Sequence, residues 1–124
     1  MLVQVALKRL TNAPPRIASV VEAAIEQALP EETAFCFVQG ALEGEAGVQA
    51  APGGPHLAVL IHAGRGYAAR DKRRLFGRIL DGLECELAIA RADVVIGIVE
   101  TPAVNWSAGY AERQWLEGLS YRLP

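Results

Sequence analysis

Apolar and polar residues alternate from the start of the chain. In LVQVAL, Val3, Val5 and Leu7 share one face, which predicts a strand over residues 2–7. The period then changes. In IASVVEAAIEQAL, Ile17, Val20, Val21, Ala24, Ile25, Ala28 and Leu29 recur at three- and four-residue spacing, the stripe of an amphipathic helix. Asn12 is suited to cap that helix, the two prolines of TNAPPR to open its first turn, and Pro30 to end it. Aromatic and β-branched residues around Phe35, Phe37 and Val38 predict a second strand. HLAVLIHA and DVVIGIVE are near-continuous apolar runs and predict strands buried on both faces. Between them, Leu75, Ile79, Leu80, Leu83 and Leu87 mark a second helix, in which Gly77 and Gly82 weaken the helix or admit close packing. EGEAGVQAAPGGP, residues 43–55, predicts a long loop, a connector in preference to a lid. After the last strand the chain is expected to be irregular, with a short helix over 110–116.

Strand–helix–strand thus occurs twice, which predicts an α/β fold of tandem β-α-β units. The units are residues 1–45 and 56–124 of a single domain, 1–124. Right-handed crossovers make the strands of each unit parallel. The expected product is a four-stranded sheet with both helices on one face. The second face of the apolar strands needs a cover that a chain this short lacks, and self-association supplies it.

Composition narrows the possible functions. The 124 residues are 52% hydrophobic and 21% charged, a globular balance. A net charge of −2 with scattered Lys and Arg offers no footprint for nucleic acid or an anionic membrane. Neither a membrane-spanning run nor a signal peptide is apparent, so a cytoplasmic location is expected. Cys36 and Cys85 lie far apart without a Cys/His cluster, and His56 and His62 are six residues apart. No metal site and no cofactor are expected from such spacings. GRG at 64–66 fits neither phosphate-binding pattern, and Ser107 in NWSAG lacks the nucleophile-elbow frame and reads as a turn residue.

Few positions offer chemistry. A strand that begins at residue 2 would hold the α-amine of Met1 in place. Arg65 follows an apolar strand, where an arginine is equally a clamp for a carboxylate or a solvated charge. Tyr67 and the cluster Arg70, Lys72, Arg73 and Arg74 read as the solvated face of the helix start. Trp106 and Trp115 are either core or the wall of a pocket. Glu100 at a strand end is expected to find a structural partner.

The order of these segments resembles the tautomerase superfamily. GRGYAARDKRRLFGRILDGL followed by ADVVIGIVETPAVNWSAG carries the likeness, which covers residues 57–119 well and the first half in layout. It is greatest to the longer members, such as malonate semialdehyde decarboxylase and cis-3-chloroacrylic acid dehalogenase. The resemblance implies a homotrimer of β-α-β pairs acting on small carboxylates. It also implies an amino-terminal proline as acid or base, arginines that bind the substrate carboxylate, and aromatic walls. Arg65 matches a substrate-binding arginine, and Tyr67 stands where a companion arginine is usual. Trp106 matches the pocket tryptophan, with Ala108 in place of the phenylalanine that follows, and Trp115 matches a further aromatic. Thr33 falls where decarboxylase-like members carry a water-orienting aspartate, and neighbouring Glu32 replaces it only with a shift of register.

Residue 2 is Leu where the family pattern has proline. A bulky second residue retains Met1, whose primary amine is then the group available as base or Schiff-base former. Two functions follow from the resemblance. One is a divergent enzyme acting on a small oxo- or unsaturated carboxylate, with Met1 and Arg65 in the catalytic roles and Arg65, Tyr67, Trp106 and Trp115 binding substrate. The other is a non-catalytic trimeric relative that binds small molecules or serves a structural role. NWSAG argues against a third reading, an unrelated ligand-binding regulatory domain of similar layout.

Overall fold

The computed structural model describes residues 1–8, 14–40 and 56–107. The expected Asn12 cap, the 43–55 loop, Ala108, the 110–116 helix and Trp115 lie outside them. Along the chain run β1 (Leu2–Leu7), α1 (Pro14–Ala28), β2 (Phe35–Gly40), β3 (Leu57–Ala63), α2 (Ala69–Leu87) and β4 (Val94–Glu100). Short 3₁₀ turns occupy Arg91–Asp93 and Ala103–Asn105.

The four strands form one sheet in the order β2-β1-β3-β4. β1 pairs with β2, and β3 with β4, in parallel, as expected of two crossover units. The join between the units is antiparallel, with Val5 opposite Val59 and Leu2 opposite His62. Consequently the amino ends of β1 and β2 share one edge of the sheet with the carboxyl ends of β3 and β4.

Alternation decides what each face meets. Val3, Val5, Val59 and Ile61 are almost fully buried, together with Ile17, Val21 and Ile25 of α1 and Leu75, Ile79 and Leu83 of α2. These residues form one cluster between sheet and helices. Leu80, expected on the same stripe, is only half-buried. Where the two helices meet, a Cβ on Gly82 would stand 3.0 Å from Val20 Cγ1, so this glycine sets their close approach. On the opposite face of the sheet Phe35, Phe37, Leu60, Val95 and Val99 are exposed. The apolar second face predicted for β3 and β4 is present, and the two phenylalanines of β2 extend it.

Helix α2 ends at Ala88, whose φ of 56° is left-handed. Its N–H bonds the carbonyl of Glu84, and Ile89 N–H bonds that of Leu83, both at 3.1 Å. This cap normally carries glycine, because a Cβ is strained there. Ala88→Gly is therefore expected to stabilise the fold by about 1 kcal/mol in urea unfolding.

Candidate functional site

The edge shared by both units carries the charged groups. Met1 precedes β1, Glu31, Glu32 and Thr33 precede β2, Arg65 and Tyr67 follow β3, and Glu100, Thr101 and Trp106 end or follow β4. The turn that presents Glu31 and Glu32 forms after Pro30 stops α1, with Glu32 N–H bonding Leu29 O at 2.9 Å.

Arg65 is the centre of this group. Its Nη2 donates to Glu31 Oε1 at 3.0 Å. Its buried Nε lies 3.3 Å from Glu32 Oε1, within ion-pairing distance but without the alignment of a hydrogen bond. Its guanidinium carbon stands 4.7 Å from the centroid of the Tyr67 ring, a cation–π contact. The neighbouring Tyr67 oxygen, followed by the two glutamates, holds Arg65 firmly charged against the opposing effect of burial. The Tyr67 hydroxyl donates to Glu32 Oε1. Burial and that bond push the phenol up to about 12, so Tyr67 remains a donor across the working pH range.

The Met1 amine donates to Thr33 O at 2.9 Å, and Met1 O accepts from Phe35 N–H at 2.9 Å. The terminus is thus sewn into β1 and β2. Partial burial lowers the amine below its ordinary value, while the Glu32 charge works in the opposite direction. Glu32 therefore acts on the amine, Tyr67 and Arg65 together. Its side chain is 11% exposed, against 51% for Glu31.

A second charged pair flanks the first. Lys72 bonds Glu100, whose Oε2 also accepts from Tyr67 N–H at 2.9 Å. The Lys72 bond, with the Tyr67 N–H, draws the carboxyl of Glu100 below the usual range. A Cβ on Gly66 would come within 2.7 Å of Glu100 Oε2, so the glycine makes room for this carboxylate. Trp106 makes other contacts on this edge. Its Nε1 donates to Thr101 Oγ1 at 2.7 Å, and its ring lies 6.2 Å from that of His62, whose Nε2 meets Gln4 Oε1 at 2.9 Å.

Met1, Arg65 and Tyr67 are thus brought to one edge, and Trp106 sits on the same edge with different contacts. Three expectations change. Tyr67 is half-buried and bonded rather than solvated. Lys72 leaves the solvated run to pair with Glu100, which gives Glu100 its structural partner. Glu32, not Thr33, supplies the side chain before β2, while Thr33 contributes its carbonyl. PEET shows two carboxylates that could pair with an arginine, and only the fold shows that Glu32 is the one that also receives Tyr67.

Among the described residues no group of His, Cys, Asp and Glu has the arrangement of a metal site, and no helix is long and apolar enough to cross a membrane. A groove of about 430 Å³ lies between α1 and α2, lined by residues such as Val20, Gln27, Arg78 and Cys85, none of them from the charged edge.

Comparison with known proteins gives a consistent picture. Residues 45–109 match the family model of the tautomerase enzymes. A probable tautomerase of Bacillus subtilis (strain 168), YrdN, is 32% identical over 63 residues. That match takes in 51% of this chain and 49% of the relative, so the chain spans about half the length of the curated relative it matches. Malonate semialdehyde decarboxylase superposes with a TM-score of 0.77 at 17% identity, over 95% of this chain and 98% of its own. N1, a member of the cis-3-chloroacrylic acid dehalogenase family, gives 0.70 at 16% identity over 100% and 93%. The symmetric trimer of fused 4-OT gives 0.64 at 14% identity over 87% and 91%. The four-stranded sheet with two helices on one face is the fold these structures share, and with half its length matched by the family model the chain belongs to the tautomerase superfamily.

Proposed function

We propose that the charged edge is a site for a small oxo- or unsaturated carboxylate, with Arg65 as its clamp and the Met1 amine as its proton carrier. The observation that carries this reading is Glu32, whose carboxylate interacts with Arg65 and Tyr67 and acts on the amine, so that one acidic group couples the anion-binding and proton-transfer functions. In the tautomerisation of an enol, the amine as free base takes the O–H proton and as ammonium returns a proton to the adjacent carbon. No net proton is gained or lost. Arg65 keeps the carboxylate fixed throughout, and the burial that lowers the amine below its ordinary value favours the free base that starts the cycle. Tyr67, kept protonated, spends its one hydroxyl proton on Glu32 and so holds that carboxylate beside Arg65, Trp106 lies on the same edge, and the resemblance adds Trp115 as a further binding residue.

Phenylenolpyruvate tautomerisation tests this reading. Turnover is expected to follow an amine titration below pH 8.0, and loss of turnover on carbamylating the amine is required. Glu32 raises the amine, so Glu32→Gln is expected to move the titration further down in pH. An unmoved profile excludes Met1 as the titrating group. Absence of turnover above buffer favours the second reading, a carboxylate-binding relative without catalysis, which leucine at residue 2 supports.

The same reading includes self-association as a homotrimer through the open sheet face. The exposed Phe35, Phe37, Leu60, Val95 and Val99 support it, as does the symmetric trimer formed by fused 4-OT.

A further inference from the structure

We infer that Glu31 is a specificity-determining residue: its carboxylate occupies the face of Arg65 that a ligand carboxylate needs, and binding requires its displacement. The inference rests on the proposed role of Arg65 as carboxylate clamp. The two glutamates on this arginine differ in what holds them. Glu32 is 11% exposed and receives the Tyr67 hydroxyl, so moving it would strand the phenol and take the nearest opposite charge from the buried Nε of Arg65. Glu31 is 51% exposed and bonds Arg65 through Nη2 alone among the contacts described, at 3.0 Å. Its backbone is set by the turn after α1, while its side chain has water beside it to enter. An exposed ion pair of this kind is weak, and a ligand that supplies the same carboxylate geometry replaces it without loss.

Charge balance gives the exchange its selectivity. Among the described residues, the edge brings the Met1 amine in its ammonium form, Arg65 and Lys72 together with the carboxylates of Glu31, Glu32 and Glu100. When Glu31 swings into water and one ligand carboxylate takes its place, the balance at the site is kept. A neutral ligand cannot dislodge Glu31, and among the described residues of this edge Lys72 is taken by Glu100 and the Met1 amine faces Glu32, so a second ligand carboxylate meets no unpaired cation there. The favoured ligand is therefore a monocarboxylate.

The experiment is an NMR titration of the intact protein with 3-phenylpropionate, which is unreactive toward the amine, and with its neutral amide. Wild type, Glu31→Gln, Glu31→Lys and Arg65→Ala are compared at low and high salt. Glu31→Gln is expected to tighten the carboxylate by about three- to fivefold at low salt, the scale of one exposed ion pair. Glu31→Lys should tighten it further, the gain should shrink at high salt, and the amide should be unaffected. Phenylsuccinate, with a second carboxylate, should bind wild type no more tightly than 3-phenylpropionate. If both Glu31 variants bind the carboxylate as wild type does or more weakly, while Arg65→Ala loses it, the role of Glu31 is overturned and that of Arg65 stands. Tighter binding of phenylsuccinate overturns the preference for one carboxylate. If Arg65→Ala binds like wild type, or no variant binds, the clamp and the inference built on it both fall.

Discussion

Arg65→Ala should reduce kcat/KM for a small oxo-carboxylate by about 10- to 100-fold, the value of about 1.5–3 kcal/mol for hydrogen bonds to a charged group. The loss should fall mainly on KM if the arginine holds substrate and transition state equally. Arg65→Lys keeps the charge but lacks the planar fork, so it should recover part of the affinity and not all of it. Circular dichroism and thermal unfolding should show a folded protein, because Arg65 is partly exposed and Tyr67 keeps its bond to Glu32. An Arg65→Ala variant with unchanged kcat/KM would remove the anion clamp from the mechanism.

A single charge on the open sheet face should have the other large effect. Leu60 lies in the middle of that face, on the row that runs from Phe37 through Gln4 and Leu60 to Gly97. Phe35 is 62% exposed and Phe37 46%, with ring centroids 4.8 Å apart in an edge-to-face pair. Covering such side chains contributes about 1.5–3 kcal/mol each for full burial, so the partly exposed members of the patch together supply enough to hold an assembly. A buried aspartate without a partner opposes this by several kcal/mol in every subunit. Sedimentation of wild type should give three times the 13.3 kDa chain mass, and Leu60→Asp should give a single chain at micromolar concentration. A wild-type monomer would exclude the homotrimer.

The elements were legible in the sequence because each carries its own period. Val3, Val5 and Leu7 alternate, the stripe from Ile17 to Leu29 follows the helix, and both signals survive in the fold with their boundaries nearly unchanged. The antiparallel join of β1 to β3 was not legible, since strand order is decided by long-range pairing and not by any local period. The same limit explains the site. Arg65 could be singled out by its place after a strand, but Glu32 acquires its meaning only when β2 aligns beside β1 and brings the preceding turn against Tyr67. Lys72 reads as one charge in a solvated run until β4 delivers Glu100 to it. Partners that come from distant elements leave no spacing to read.

The antiparallel join also gives the sheet an approximate internal dyad, and with it a second corner. Across the sheet from the charged edge, the ends of β1 and β2 lie beside the beginnings of β3 and β4. There Lys8 N–H bonds His56 O, and His56 N–H bonds Asp93 O, each at 2.8 Å, while the His56 ring lies 3.7 Å from the Asp93 carboxylate. His56, which precedes β3, is the counterpart of Met1, which precedes β1. Of the two corners that the dyad relates, the described residues place an arginine between two glutamates at one and the His56–Asp93 pair with its main-chain bonds at the other. Duplication of this kind lets two places related by the dyad carry different side chains on one and the same backbone frame.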